Sequence, residues 1–332
     1  IVEGCVDRLT GHGREAMDEG VLREADELAS RGYRVLGLAC RLEFPEQDGA
    51  EAQLDGDWTF LGFVGLIDPP RPGAVEAIRQ CKSAGIAPVM ITGDHPVTAA
   101  AIASQLGFPC DAEQSLTGRE LARLSEEELE DQVESIHVYA RVDPEQKIRI
   151  VKALQAKGHF VAMTGDGVND APALKAATIG VAMGRRGTEV AREAAEVVLL
   201  DDSFETIVAA VREGRRIYDD IRKFIRYTMT SNSGEIWVLV LAPLLGLPLP
   251  LLPLHILWIN LVTDGLPGLA LSAEPAERGV MRRKPRPPEE SIFSQAMVLH
   301  ILLVGLLIGG LTLATQAWTW QQGREEWQTM VF

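Results

Sequence analysis

From Met297 to Gly323 the chain carries no Asp, Glu, Lys or Arg. A helix needs roughly 20 apolar residues to cross a bilayer, and in lipid a single segment must bond its own backbone, so such a run has to be helical. Two shorter apolar stretches precede it. One covers about Tyr227–Leu247 and contains Pro243, with Pro248 just beyond; the other covers about Leu251–Leu271. These stretches predict about three transmembrane helices, at 227–247, 251–271 and 297–318, within a membrane region of residues 227–332. A buried hairpin in a soluble core is the alternative for the first two, and the uncharged third run argues against it.

The first stretch begins TSNSGEIW, which places Glu235 inside hydrocarbon. A carboxylate there is costly and points to a use. Asn232 and Glu235 are three apart and share a helix face. Asn260, Thr263 and Asp264 in the second stretch stand at i, i+3 and i+4, again on one face. Facing each other, the five supply oxygen donors suited to a hard cation, with calcium favoured by ligand number and flexibility. Polar contacts that only join helices are the competing reading. No Cys lies in any span, which disfavours copper or zinc, and His255 reads as interfacial. Gly234 and the Gly265–Pro267 segment are expected to loosen their helices and free carbonyl groups.

Orientation follows from the loops. The segment after the second stretch carries Arg278, Arg282, Arg283, Lys284 and Arg286, and the turn between the first two carries no charge. Basic loops face the cytosol. The first span then runs outward, and the residues before it are also cytosolic.

Residues 1–226 mix charged and apolar residues like a soluble α/β protein. The net charge of −15 excludes a nucleic-acid partner. Cys5, Cys40, Cys81 and Cys110 show no paired spacing and read as reduced structural thiols. The first residue is Ile1, so the chain is expected to start inside a larger protein. Residues 1–58 read as part of a domain, with a helix over Met17–Gly32, a strand over YRVLGLACRL and a polar loop over Glu43–Trp58. Over 59–205 short apolar runs (FLGFVGLI, IAPVMIT, IHVYARV, HFVAMTG, IGVAMG, EVVLL) alternate with helix-like stretches at Gly73–Ala84, Pro96–Leu106, Pro144–Ala156, Ala171–Ala176 and Thr188–Ala194. That alternation predicts a Rossmann-like, mostly parallel sheet wrapped by helices, with ligands at the carboxyl ends of its strands. Residues 206–226 read as an amphipathic connector.

Those strand ends carry the chemistry. In MTGDGVNDAPAL, Gly165 and Gly167 permit a tight turn, and Asp166 and Asp170 offer hard oxygen ligands for magnesium. Thr92 in ITGD offers a hydroxyl, and Lys147 in YARVDPEQK offers a cation early in a helix. A metal ligand, a donor and a cation are what phosphoryl transfer needs.

The strings DPPRPG, ITGDH, YARVDPEQK, MTGDGVNDAPALK and IGVAMG resemble successive motifs of the P-type ATPases, whose phosphorylation domain has the haloacid-dehalogenase fold. TSNSGEI and LWINLVTDGLP look like the type II calcium pumps. The resemblance implies a haloacid-dehalogenase-like α/β domain in the cytosol followed by helices in the lipid bilayer. It implies that Asp166 holds Mg2+, supported by Asn169 and Asp170, and that Lys147 and Thr92 contact an aspartyl phosphate. Asp68 and Arg71 are implied at a hinge and Arg34 at the ATP phosphates; with Thr92, Gly93 and Asp94 these are the expected nucleotide contacts. Asn232, Glu235, Asn260, Thr263 and Asp264 match the positions that bind the transported ion. The family's Asp-Lys-Thr-Gly nucleophile string does not occur here, nor does the Thr-Gly-Glu loop. The chain is therefore expected to be the middle-to-C-terminal part of a calcium exporter, dependent on an N-terminal part and inactive alone. A pump for sodium, protons or manganese, and a membrane protein without turnover, remain as rivals.

Overall fold

The computed structural model describes residues 2–5, 19–40, 59–109, 112–287 and 290–323. The expected loop Glu43–Trp58 and Cys110 lie outside them. The chain divides into two compact units, Ile1–Val208 and Ala209–Phe332.

The first unit opens with β1 (Val2–Cys5), α1 (Glu19–Ser30), β2 (Arg34–Cys40) and β3 (Thr59–Leu66). Helix α1 ends where expected, because Gly32 turns to φ +88° and its N–H caps Ala29 O at 2.9 Å. Strands β1, β2 and β3 form an antiparallel sheet in that order, with Arg34 opposite Leu66 and Cys40 opposite Thr59. Placing FLGFVGLI in the parallel sheet is thus corrected. This ladder spans the expected boundary at 58/59, and long-range hydrogen bonds of that kind leave no mark in local sequence pattern.

The parallel part continues through α2 (Ala74–Ser83), β4 (Met90–Thr92), α3 (Pro96–Gln105), β5 (Ser115–Thr117), α4 (Gly118–Leu121), α5 (Glu126–Gln132), β6 (Val138–Ala140), α6 (Pro144–Ala156), β7 (Ala162–Gly165), α7 (Ala171–Ala176), β8 (Ile179–Met183), α8 (Glu189–Ala194) and β9 (Val197–Leu199). Instead of one sheet there are two parallel sheets, ordered β4-β6-β5 and β7-β8-β9. Among the described residues β4 and β7 each keep one unpaired edge. Leu121, Leu129, Tyr139, Ile150 and their neighbours form the core under the first sheet; Val151, Met163, Ala173, Leu174 and Ala191 form that under the second. Strand β5 escaped the sequence reading because SLT holds a single apolar residue between two hydroxyl residues and so forms no apolar run. The helices beside it, α4 and α5, were passed over as well, although the capping boxes Thr117 with Glu120 and Ser125 with Glu128 mark helix starts.

Helix α9 (Phe204–Leu244) runs without a break, so the expected connector 206–226 and first span are one element. It is followed by α10 (Pro253–Trp258), a π-helical turn (Ile259–Asp264), α11 (Gly265–Ser272) and α12 (Gln295–Gln321). Two described helical segments, Pro253–Ser272 and Gln295–Gln321, are long and apolar enough to cross a membrane. The polar beginning of Tyr227–Leu244 keeps that part of α9 out of this class.

Helices α9 and α12 approach closely through glycine. A Cβ on Gly305 would stand 2.4 Å from Ser233 Oγ and 3.1 Å from Gly234 N, and one on Gly309 would stand 2.9 Å from Trp237 Cβ. Gly305 and Gly309 form the small-xxx-small spacing that lets membrane helices touch. Gly234, expected to loosen its helix, instead provides the matching hollow.

Candidate functional site

The carboxyl ends of β4, β6 and β7 carry the polar cluster of the first unit. Asp170 sits just beyond β7, only 8% exposed. Its Oδ1 accepts from Lys147 Nζ at 2.6 Å, and its Oδ2 from the backbone N–H groups of Gly167 at 3.0 Å and Asp166 at 3.2 Å. Burial pushes this carboxyl up, but the Lys147 ammonium and the two N–H groups outweigh it and hold it below the ordinary aspartate range. Gly165 has to be glycine here: a Cβ would lie 2.5 Å from Asp170 Cβ.

Asp170 therefore spends its charge on the loop and on orienting Lys147 from the first turn of α6. Asp166 is left with an exposed side chain, and its carbonyl accepts from Thr188 N at 2.9 Å. Magnesium characteristically takes one or two carboxylates and completes its shell with water and phosphate. The exposed Asp166 carboxylate beside the exposed Asn169 fits that pattern.

At the end of β4, Thr92 Oγ1 donates to Asp94 Oδ2 at 2.9 Å and accepts from Asp94 N at 3.1 Å. Arg141 N and Val142 N donate to Asp94 O and Thr92 O, both at 3.2 Å, with Arg141 at φ +53°. The turn at Thr92, exposed Gly93 and Asp94 is thus fastened to the segment that leads into Lys147. The Thr92 hydroxyl proton is engaged by Asp94, so donation to any other oxygen requires the hydroxyl to rotate away.

Arg34 is exposed at the start of β2, opposite Leu66, two residues before exposed Asp68. Arg71 donates instead to Asp202 O. Asp202 was missed by the sequence reading. Its carboxylate accepts from the N–H groups of Arg185 at 2.9 Å and Arg186 at 3.0 Å, which holds the loop before Thr188. The legible signal was the acidic pair Asp201-Asp202 after a strand, but its partner lies across the unit.

In the helical unit Glu235 Oε1 and both carboxylate oxygens of Asp264 are buried without a hydrogen-bond partner among the described residues. Asp264 is 4% exposed. Asn260 and Thr263 are exposed, and Asn260 Nδ2 donates back to Ile256 O at 3.0 Å. The shared face expected for Asn260, Thr263 and Asp264 assumed α-helical phase. The π turn closes i to i+5 bonds, so spacings of three and four fall out of step. Asn232 is half-buried on α9. Tyr227, also missed, donates its hydroxyl to Thr263 O at 2.9 Å.

Residues 248–332 match the model of the cation transporting ATPase C-terminus, and residues 11–178 match that of the haloacid dehalogenase-like hydrolases. The chain belongs to the P-type cation ATPases. Among the relatives of this family, a calcium-transporting ATPase of Bacillus subtilis is 51% identical over 92% of the chain and 34% of its own length. A probable cation-transporting ATPase F of Mycobacterium tuberculosis is 48% identical over 93% and 36%. An endoplasmic reticulum calcium ATPase of Aspergillus fumigatus is 44% identical over 89% and 32%. The chain thus spans about a third of the length of the P-type ATPases it matches.

In this P-type ATPase chain the basic loop after α11 is tied to α9. Arg283 donates to Asp219, Arg286 Nη2 reaches Asp219 Oδ1 at 3.0 Å, and Arg286 stacks 4.3 Å from the Tyr218 ring centre. Lys223 pairs with Glu274 at 2.8 Å and Glu277 at 3.1 Å.

Proposed function

We propose that this chain is the phosphorylation and ion-binding portion of an ATP-driven pump that exports calcium from the cytosol, with its first unit cytosolic and its helices in the plasma membrane. The observation that carries the calcium reading is the pair Glu235 and Asp264, whose buried oxygens lack partners among the described residues. A carboxylate in hydrocarbon without a counter-charge is a ligand in waiting.

In the proposed cycle an aspartate outside these residues attacks the γ-phosphorus of ATP, the bond to the bridging oxygen breaks, and ADP leaves. Asp166 holds magnesium, with Asn169 beside it and Asp170 supporting the loop. Bound there, magnesium neutralises charge on the phosphoryl oxygens. Lys147 offsets the same charge, and Thr92 hydrogen-bonds a phosphoryl oxygen after leaving Asp94. Arg34, Asp68 and Arg71 belong to the nucleotide side of the unit. Water later cleaves the acyl phosphate. Asn232, Glu235, Asn260, Thr263 and Asp264 carry the ion. Asn260 and Thr263 enter its shell by turning inward, a change a π turn accommodates by shifting its bonding pattern.

In the complete pump, Glu235→Gln and Asp264→Asn should each raise the calcium concentration for half-activation at least about tenfold. Phosphorylation from inorganic phosphate, which needs the ion site empty, should persist. Half-activation unchanged in both would overturn the calcium-site reading, whereas a shift for sodium, protons or manganese alone would reassign the ion. The 332-residue chain by itself should trap no acid-stable phosphate from ATP; label lost on Asp166→Ala would overturn that part.

A further inference from the structure

Thr228 stands apart from the other α-helical threonines described in the second unit. Thr230, Thr312, Thr315 and Thr319 each return their hydroxyl to the carbonyl four residues back, at 2.6 Å, 3.0 Å, 2.9 Å and 2.9 Å. That bond is the easy way to satisfy a hydroxyl in a helix. Thr228 Oγ1 is buried and has no such bond.

Its position explains where it points. Phe224 packs against Gly268 so closely that a Cβ there would lie 2.6 Å from the ring, and Tyr227 bonds Thr263 O. These two contacts set the register of α9 against the antiparallel strand of helix formed by the π turn and α11. One turn onward from Phe224 is Thr228; one turn back from Gly268 is Asp264. Helical periodicity carried forward from those two contacts brings Thr228 and Asp264 to one level on facing sides, and Glu235 follows on the same face of α9 seven residues later, about 10 Å along the axis. Thr228 Oγ1 and Asp264 are not bonded to each other, although each has a buried oxygen with no other partner.

We propose that Thr228 is a further cation ligand, which receives a hard divalent ion through its hydroxyl oxygen together with Asp264 on the cytosolic side of Glu235. The inference rests on the ion-site reading of Glu235 and Asp264 and adds a hydroxyl that the sequence reading passed over. A neutral oxygen beside a carboxylate is a common element of calcium shells. On this side it lets the ion shed water in stages before it meets Glu235 as well.

The test uses the complete pump with Thr228→Val, which keeps the shape and removes the oxygen, and Thr228→Ser, which keeps the oxygen. Thr228→Val should raise the calcium concentration for half-activation at least about threefold, and Thr228→Ser should stay near wild type. The melting temperature without calcium should not fall for Thr228→Val, since no hydrogen bond is lost. Wild-type calcium dependence in Thr228→Val, with Glu235→Gln and Asp264→Asn impaired, overturns the assignment of Thr228 alone. Wild-type behaviour in all of these variants overturns the underlying site. Equal weakening by Val and Ser, or a lower melting temperature in Thr228→Val, makes the residue a packing element and also overturns the assignment. If Thr228→Val does not assemble, Thr228→Ala with the Ser variant decides the same question by the same curves.

Discussion

In the parallel-sheet unit the buried carboxylate of Asp170 receives a lysine and two backbone N–H groups, whereas both oxygens of the equally buried Asp264 in the helical unit receive no hydrogen bond from the described residues. The difference separates two uses of a buried charge. Asp170 is consumed by the protein, fixing the loop that presents Asp166 and the helix that presents Lys147. Asp264 is left unbonded by the described residues, as the proposed ion site would require.

Four measurements bear on that contrast. Lys147→Met should cost the first unit about 3–5 kcal/mol, because it strands the Asp170 charge. Loss of hydrogen-exchange protection over residues 163–174 would report it; a cost under about 1 kcal/mol would mean that Asp170 is as loosely held as a surface group. Asp264→Leu should have the opposite sign. In calcium-free detergent it should stabilise the helical unit by about 2.5–3.5 kcal/mol, the insertion scale for an aspartate at the centre of a membrane helix. A lower melting temperature would reveal a hidden partner and break the contrast.

Acid should act on the first unit through Asp170. Its folded pKa lies below the ordinary value of about 3.9. Its stabilisation is therefore complete above that value and disappears as pH falls through it towards the folded pKa. Asp170→Asn should flatten the stability curve below about pH 4; an unchanged slope would assign acid sensitivity elsewhere. The smallest effect concerns an exception within the paired unit. Tyr139 is fully buried in the core and its hydroxyl has no partner among the described residues. Tyr139→Phe should raise stability by about 1 kcal/mol, and a loss in urea unfolding would point to a bound water.

Much of this was legible in local pattern. The alternation of apolar runs with helical stretches located β4, β6, β7, β8 and β9, and the glycine–aspartate tails located the polar ends. The antiparallel partner of FLGFVGLI was not legible, since ladder pairing joins residues through contacts that neither strand records alone. Asp202 was also missed, because its partners are backbone N–H groups and any loop has those.

The sequence by itself determined the two chemical environments. The apolar run that begins at Met297 predicts a long helix, and glycines beside acids at strand ends permit an anion to approach. Only the tertiary structure decided which groups are satisfied. Asp166 and Asp170 are the same residue type four positions apart, yet one is exposed and the other is closed by Lys147. Asn260 and Asp264 read as one face until a π turn changed their phase. Gly234 read as a weak point until Gly305 met it. Composition and spacing act along the chain and can be read there, but pairing, phase and close approach depend on which surfaces meet.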